Sequence, residues 1–340
     1  MTVAASSALP QAIADTLNGV WGAYAAKKIG RNEVWEITTD APAKLRCYAK
    51  WWPSTEMFHR ELEGLRIVNT LAAGHDWITA APIIVADATT GVIVVHEIRG
   101  VSGEELISRP LRRFCPSMNT PARQLEAVNC LTMIRRFLEQ LHRVNVPHSR
   151  HLANHGPAAV VARVNTLADR LRQHASLAHL AMWTAFPVSL QDFRIADEPQ
   201  LCVLHGDTSL RNFLVDGSRL GILDFEDLGV GPACRDLLWI DYCLKRYDWM
   251  WHYRTAQGLR RLMSQPPIDP GVRLLYRLEF LLLHLIAIAM RSERDSVLAR
   301  LSDRLERLHV IRSLRRHCDL VLDTAKRSRT APVHMADPSF

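Results

Sequence analysis

Between Leu201 and Asp241 the chain reads LCVLHGDTSLRNFLVDGSRLGILDFEDLGVGPACRDLLWID, and no other stretch limits its architecture so tightly. An apolar run, Leu201 to Leu204, predicts a strand that delivers His205-Gly206-Asp207 into a loop. Two further short apolar runs, Asn212 to Val215 and Leu220 to Leu223, flank Asp216-Gly217, a dipeptide suited to a tight turn. The second run ends at Asp224-Phe225-Glu226. One hairpin therefore brings Asn212 and Asp224 together at its open end, close to Asp207.

The residue types at that end match the needs of phosphoryl transfer. Magnesium ions that bridge nucleotide phosphates need oxygen ligands, which an Asn carbonyl and an Asp carboxylate supply. The transfer also needs an acceptor that orients a substrate hydroxyl and takes its proton, and Asp207 fits that part. A carboxylate of ordinary basicity suffices, because the proton leaves late.

At these residues the chain resembles the aminoglycoside phosphotransferase family, the antibiotic and small-molecule branch of the protein-kinase-like fold. The family pattern of H-G-D-x-x-x-x-N, a short hairpin, I-D-[FW]-[EDG] and a downstream G-x-P…D-L is met by His205-Gly206-Asp207, Asn212, Leu223-Asp224-Phe225-Glu226, Gly231-Pro232 and Asp236-Leu237. Gly206 in place of the protein-kinase Arg, and Ser209 in place of its usual Lys, favour this branch. The resemblance implies that Asp207 is the catalytic base, that Asn212 and Asp224 are metal ligands, and that Asp236 braces the catalytic loop. His205 is expected to pack and hydrogen-bond the loop rather than do chemistry.

The resemblance also implies an α+β fold of two lobes. A nucleotide-binding N-terminal lobe, residues 1–97, carries an antiparallel sheet plus a helix; a larger, mainly helical catalytic and acceptor-binding lobe covers 98–330, and 331–340 form a tail. Asn32 to Thr38 and Ala43 to Lys50 read as two β-rich stretches split by the turn-prone Asp40-Ala41-Pro42. Phe58, Leu62, Leu65, Val68 and Leu71 then recur with helical spacing. A strand Lys paired with a helix Glu holds nucleotide phosphates in kinases. Lys50 and Glu61 are placed for this, with Glu63 the alternative partner. Gly30, Arg31 and Asn32 stand where a phosphate-covering loop is expected.

Gly91 to Ile98 is an apolar run long enough for a buried strand, and Arg99-Gly100-Val101-Ser102-Gly103 breaks it. By resemblance this is the hinge, with Glu97 and Ile98 offering backbone groups to an adenine. Pro82 precedes a neighbouring strand at Ile83-Ile84-Val85. Leu125 to His142 has helical spacing, and the family has a helix closing in L-x-x-L-H at this place; His142 is expected to be structural. Helical stretches such as Val160 to Leu180 carry no assigned role.

A chain of 340 residues with 48% hydrophobic and 23% charged residues suits a soluble protein with a full core. There is no signal-peptide pattern. The apolar stretch Phe280 to Met290, interrupted by His284, is too short to span a membrane and reads as a buried helix. Seven cysteines without C-x-x-C spacing predict reduced thiols, a cytoplasmic location and no zinc site. Residues 241–340 hold 18 Lys and Arg against 11 Asp and Glu, which accounts for the whole formal net charge of +7. That excess favours a neutral or anionic acceptor over a polycation. It does not mark a nucleic-acid binder, because the Arg residues sit among acids on helix faces and no nucleic-acid fold signature is present. Among the aromatic residues after Asp236, namely Trp239, Tyr242, Tyr247, Trp249, Trp251 and Tyr253, one or two are candidates to line the cleft.

The expectation is thus a small-molecule O-phosphotransferase using ATP, with GTP not excluded, and Mg²⁺ to modify a hydroxyl of a natural-product antibiotic. The alternatives are a metabolic kinase of a sugar, nucleoside, amino alcohol or lipopolysaccharide core, and a kinase-like binding or regulatory protein without turnover. Intact Lys50, Asp207, Asn212 and Asp224 count against the last.

Overall fold

The computed structural model describes residues 9–21, 24–29, 33–39, 45–111, 120–145, 150–174, 177–178, 180–193, 195, 199–246, 253–263, 268–289 and 297–330. The chain divides into two units, Met1–Ala153 with Cys202–Ser264 and Asn154–Leu201 with Gln265–Phe340.

The first unit begins with α1 (Gln11–Asn18), β1 (Tyr24–Lys28), β2 (Val34–Thr39), β3 (Arg46–Trp51), α2 (Thr55–Gly74), β4 (Ile78–Thr79), β5 (Ile83–Asp87) and β6 (Val92–His96). Five of these strands form one antiparallel sheet in the order β1-β2-β3-β6-β5. Period-two alternation points Trp35, Ile37, Cys47, Ala49, Val92 and Val94 to one face, where Ile13 and Leu17 of α1 close a small core. Lys50, next to Ala49, faces the opposite side, where α2 lies. β1 was not expected from its sequence, YAAKK, which lacks β-branched residues. It is an edge strand, and pairing with β2 holds it in place.

α2 starts where Ser54 Oγ accepts a hydrogen bond from Met57 N at 3.5 Å. Its apolar stripe buries Phe58, Leu62, Leu65 and Val68. Gly64 on the same helix allows a close approach: a Cβ there would lie 2.3 Å from Phe225 Cβ. The chain continues through β7 (Val101–Ser102), α3 (Gly103–Leu111), α4 (Pro121–Leu141) and β8 (Ala153–Asn154). Thr120 caps α4 and Pro121 opens it, which starts the helix four residues before the expected Leu125.

After α5 (Pro157–Gln173) of the second unit come β9 (Leu201–Leu204), β10 (Phe213–Asp216), β11 (Arg219–Ile222) and β12 (Gly229–Pro232). β10 and β11 form the expected hairpin, inside a sheet ordered β4-β11-β10-β7. Asp216 pairs with Arg219, so the loop residues are Gly217 and Ser218, one position later than the dipeptide Asp216-Gly217; Gly217 supplies φ +59°. α6 (Cys234–Arg246) and α7 (Tyr253–Leu262) complete this unit. Phe137, Leu138, Phe213, Ile222 and Phe225 join the α2 stripe in one core.

The second unit is helical: α5, α8 (Pro270–Ala289) and α9 (Val297–Thr330), with short 3-10 turns. α8 buries Phe280, Leu281, Leu282, Leu285 and Ile288, as a buried helix should. Two of its buried polar side chains are paired: a Glu279 carboxylate oxygen lies 2.8 Å from Arg163 Nε, and His284 Nε2 lies 2.7 Å from Glu306 Oε1. Among the described residues no helix is long and apolar enough to cross a membrane. α9 runs through Thr330, and residues 331–340 lie outside the described residues. An antiparallel sheet with its helix, followed by a mostly helical remainder, is the α+β class expected.

Candidate active site

The loop after β9 is held from below by Asp236, a wholly buried carboxylate in the first turn of α6. Its Oδ2 accepts from His205 N at 3.0 Å, and its Oδ1 accepts from Gly206 N at 3.1 Å. Asp236 Oδ2 also lies 3.1 Å from His142 Nε2, at the end of α4. Burial would raise the Asp236 pKa, but the His142 hydrogen bond and charge outweigh it and hold the carboxyl below its ordinary range. Thr208 Oγ1 donates to the Asp236 carbonyl at 2.6 Å, and Arg235 Nη1 donates to the Gly206 carbonyl at 2.7 Å. Gly206 itself admits no side chain, since its φ is +88° and a Cβ would lie 1.9 Å from the Asp227 carbonyl oxygen. His205 is buried between Phe213 and Phe225, with Nε2 3.1 Å from the Leu223 carbonyl.

Asp207, at the tip of this loop, is bound on both oxygens. Its Oδ1 accepts from Ser209 N at 3.1 Å, from Ser209 Oγ and from Trp239 Nε1 at 2.9 Å. Its Oδ2 accepts from Asn212 Nδ2 at 3.2 Å, and Arg211 Nη2 stands 3.9 Å away. Asn212 Nδ2 donates also to the Asp207 carbonyl at 3.0 Å, and the Asn212 carbonyl accepts from Leu223 N at 2.8 Å. The hairpin thus sets Asn212 beside the residue preceding Asp224, as its register requires.

Lys50 joins the sheet to this hairpin. Its ammonium donates to Glu61 Oε1 at 2.7 Å and to Asp224 Oδ1 at 3.2 Å. Burial pulls the Lys50 pKa down, yet the charges of Glu61 and Asp224 outweigh it and hold the ammonium above its ordinary value. Glu61 Oε2 accepts in turn from Phe225 N at 2.7 Å, so one buried carboxylate fixes both Lys50 and the turn after Asp224. Of the two candidate partners, Glu61 makes this contact and not Glu63. Asp224 is the one non-glycine residue with positive φ, +67°, among the described residues. That conformation costs about 1–2 kcal/mol. The Glu61 bond to Phe225 N and the packing of Phe225 against Gly64 over-determine it.

Two oxygens at this site make no hydrogen bond among the described residues: Asn212 Oδ1 and Asp224 Oδ2. Both are hard donors of the kind Mg²⁺ takes. No group of three His, Cys, Asp or Glu among the described residues could close a metal site. An ion there would draw its remaining ligands from phosphate and water. Burial, reinforced by the charges of Asp224 and Asp227, pushes Glu226 up to about 7 against the opposing pull of Lys50.

At the other end of the sheet, Glu97 N donates to the Arg46 carbonyl at 3.1 Å. Its carboxylate meets Arg46 Nη1 at 3.1 Å and Arg99 Nε at 3.8 Å. The Ile98 side chain packs over Gly221. Gly30, Arg31 and Asn32 lie outside the described residues, as do Asp40, Ala41 and Pro42 and the rings of Tyr247, Trp249 and Trp251.

Three contributors were not foreseen from the sequence: Ser209 and Trp239 as donors to Asp207, and Arg235 as donor to the loop. Trp239 was visible only as one aromatic residue among several. Its spacing from Asp236, three residues on a helix, was the available signal that both face the loop.

A model of the phosphotransferase enzyme family, named APH, matches residues 32–250. Among curated proteins none matches the chain. Choline kinase LicA from Streptococcus pneumoniae aligns at 11% identity with a TM-score of 0.57, over 89% of this chain and 98% of that one. ADP-bound aminoglycoside phosphotransferase APH(2'')-Ib aligns at 14% identity with a TM-score of 0.54, over 88% and 97%. A thermostable mutant of aminoglycoside phosphotransferase APH(4)-Ia, in ternary complex with ADP and hygromycin B, aligns at 9% identity with a TM-score of 0.58, over 96% and 100%. At such identities the likeness establishes the kinase-like fold and leaves the acceptor open.

Proposed function

The chain belongs to the phosphotransferase enzyme family, and from that premise we propose that it transfers the γ-phosphoryl group of ATP to a hydroxyl of a small molecule. The observation that carries this reading is the Lys50 ammonium, bonded to both Glu61 and Asp224. It ties the sheet, where a nucleotide would lie, to the end of the β10–β11 hairpin, whose Asn212 donates to Asp207. The ADP-bound neighbours support ATP as the donor. In this reading residues 1–97 form the nucleotide lobe and 98–330 the catalytic and acceptor lobe.

Lys50, held by Glu61, orients the nucleotide phosphates, and the Glu97 carbonyl and Ile98 N–H meet the base. Asp207 Oδ2 accepts a hydrogen bond from the acceptor hydroxyl. As the bond from that oxygen to the γ-phosphorus forms, the bond from phosphorus to the bridging oxygen of ADP breaks, and the hydroxyl proton passes to Asp207. Asn212 and Asp224 would hold Mg²⁺, which neutralises charge on the phosphates when bound.

A natural-product antibiotic is the acceptor class supported by the aminoglycoside phosphotransferases among the neighbours, with resistance or self-protection as the role. A neutral or anionic acceptor fits better than a polycation. Arg211, with 65% of its side chain exposed, brings a guanidinium to 3.9 Å from Asp207 Oδ2, where an acceptor hydroxyl would dock. Its charge offsets that of Asp207 there and weakens the attraction of the site for a cationic acceptor.

The test is ADP release from ATP and Mg²⁺ with antibiotics, sugars, nucleosides and amino alcohols matched for size and differing in charge. Neutral or anionic compounds are expected to stimulate release, and Arg211→Glu to shift the preference toward cations by roughly tenfold. A polycation preferred by the parent protein would overturn the charge assignment. A best acceptor among sugars, nucleosides or amino alcohols would assign a metabolic kinase instead of an antibiotic one.

A further inference from the structure

We propose that Trp239 is a positioning residue that gives the two oxygens of Asp207 different tasks, an inference that rests on Asp207 being the base of the transfer described above. Three donors converge on Oδ1: Ser209 N at 3.1 Å, Ser209 Oγ, and Trp239 Nε1 at 2.9 Å. A carboxylate oxygen offers two lone-pair directions, so Oδ1 is saturated. Oδ2 accepts one hydrogen bond, from Asn212 Nδ2 at 3.2 Å. The acceptor's proton therefore goes to Oδ2.

The choice of a Trp follows from its chemistry. The indole N–H donates and has no lone pair to offer, so it fixes a carboxylate oxygen without competing for the hydroxyl proton, as a Tyr or Ser in its place would. Trp239 Nε1 also lies 3.2 Å from Ser209 Oγ, which links the two side chains that hold Oδ1. The ring stands one helical turn beyond Asp236 on α6 and stacks on Tyr242 with centroids 5.8 Å apart. One stretch of helix thus anchors the backbone of the loop through Asp236 and the orientation of its reactive carboxylate through Trp239. Without the indole, rotation about the Asp207 side chain moves Oδ2 off the line to the acceptor hydroxyl. Misplacements of about 1 Å cost on the order of 100-fold in rate.

Trp239→Phe keeps a ring and removes the donor. Its Mg²⁺-ATP hydrolysis, with water as acceptor, is expected to fall about 10- to 100-fold in kcat, with KM for ATP within about twofold of the parent. Trp239→His, whose Nε2 can occupy the position of the indole nitrogen, is expected to recover part of the loss. The second measurement needs no turnover. In ¹⁵N-labelled protein the indole N–H resonance of Trp239, identified by its absence from Trp239→Phe, is expected to shift upfield in Asp207→Asn, because a charged acceptor is replaced by a neutral one.

Parent-like kcat in Trp239→Phe, or an indole resonance unmoved by Asp207→Asn, would overturn the inference. If Trp239→Phe does not fold, the resonance decides the matter, assigned instead through Trp239→His. Failure of the underlying reading looks different: Asp207→Asn would then hydrolyse ATP like the parent, whatever Trp239 does.

Discussion

Asp207→Asn is expected to lower acceptor-dependent ADP release by about 10²- to 10⁴-fold, the range for loss of a positioned general base. The substitution keeps the shape of the side chain, and an amide oxygen can still accept from Ser209 N and Trp239 Nε1, which bind Oδ1. Its nitrogen then takes the place of Oδ2, where it can accept neither the proton nor the hydrogen bond of Asn212 Nδ2. Lys50, Glu61 and Asp224 are untouched, so ATP affinity measured by calorimetry should stay within a few-fold of the parent. A coupled assay of ADP release reads the rate. Turnover within a few-fold of the parent would mean that another group takes the proton.

Asp236→Ala is expected to destabilise the first unit by about 2–6 kcal/mol, because a buried donor left without its acceptor costs about 1–3 kcal/mol and two lose theirs. Substitution leaves the His205 and Gly206 N–H groups without their acceptor and removes the partner of His142. Urea unfolding reads the loss as a lower midpoint at unchanged slope. The pH dependence has a definite sign. The folded-state pKa of Asp236 is depressed, so its contribution is complete above the ordinary carboxylate range and is lost as the pH falls through the lower folded value. The parent should therefore lose stability toward acid faster than Asp236→Ala. A variant as stable as the parent at neutral pH would show that the loop does not depend on this carboxylate.

Much of the site was legible because it is local. Asp207 and Asn212 sit five residues apart, and a two-residue hairpin loop brings Asp224 back to Asn212, so spacing alone implied the juxtaposition. The preference for Glu61 over Glu63 has a physical ground. It falls three residues after Phe58 and four before Leu65, inside the apolar stripe of α2, where a carboxylate needs a partner. Its contact with Lys50, eleven residues away, is also short-range.

What the sequence did not yield depends on tertiary placement. β1 is a strand because β2 is beside it, not because of its own residues. Trp239 reaches Asp207 because the buried pairing of Asp236 with the loop backbone sets the rotation of α6. The helices α5, α8 and α9 carry periodicity, which predicts helices, and no motif that says which faces meet. The part-buried pairs Arg163–Glu279 and His284–Glu306 join residues 116 and 22 positions apart, and nothing local announces them.

The central claim, that this site moves a phosphoryl group from ATP to a hydroxyl, is tested most directly by mass spectrometry of a hydroxylated acceptor after incubation with the protein, ATP and Mg²⁺. The account predicts one added phosphoryl group on a hydroxyl oxygen, an equal amount of ADP, and neither product with Asp207→Asn. Release of AMP with a nucleotidyl group on the acceptor, or ATP bound and every acceptor unmodified, would contradict it.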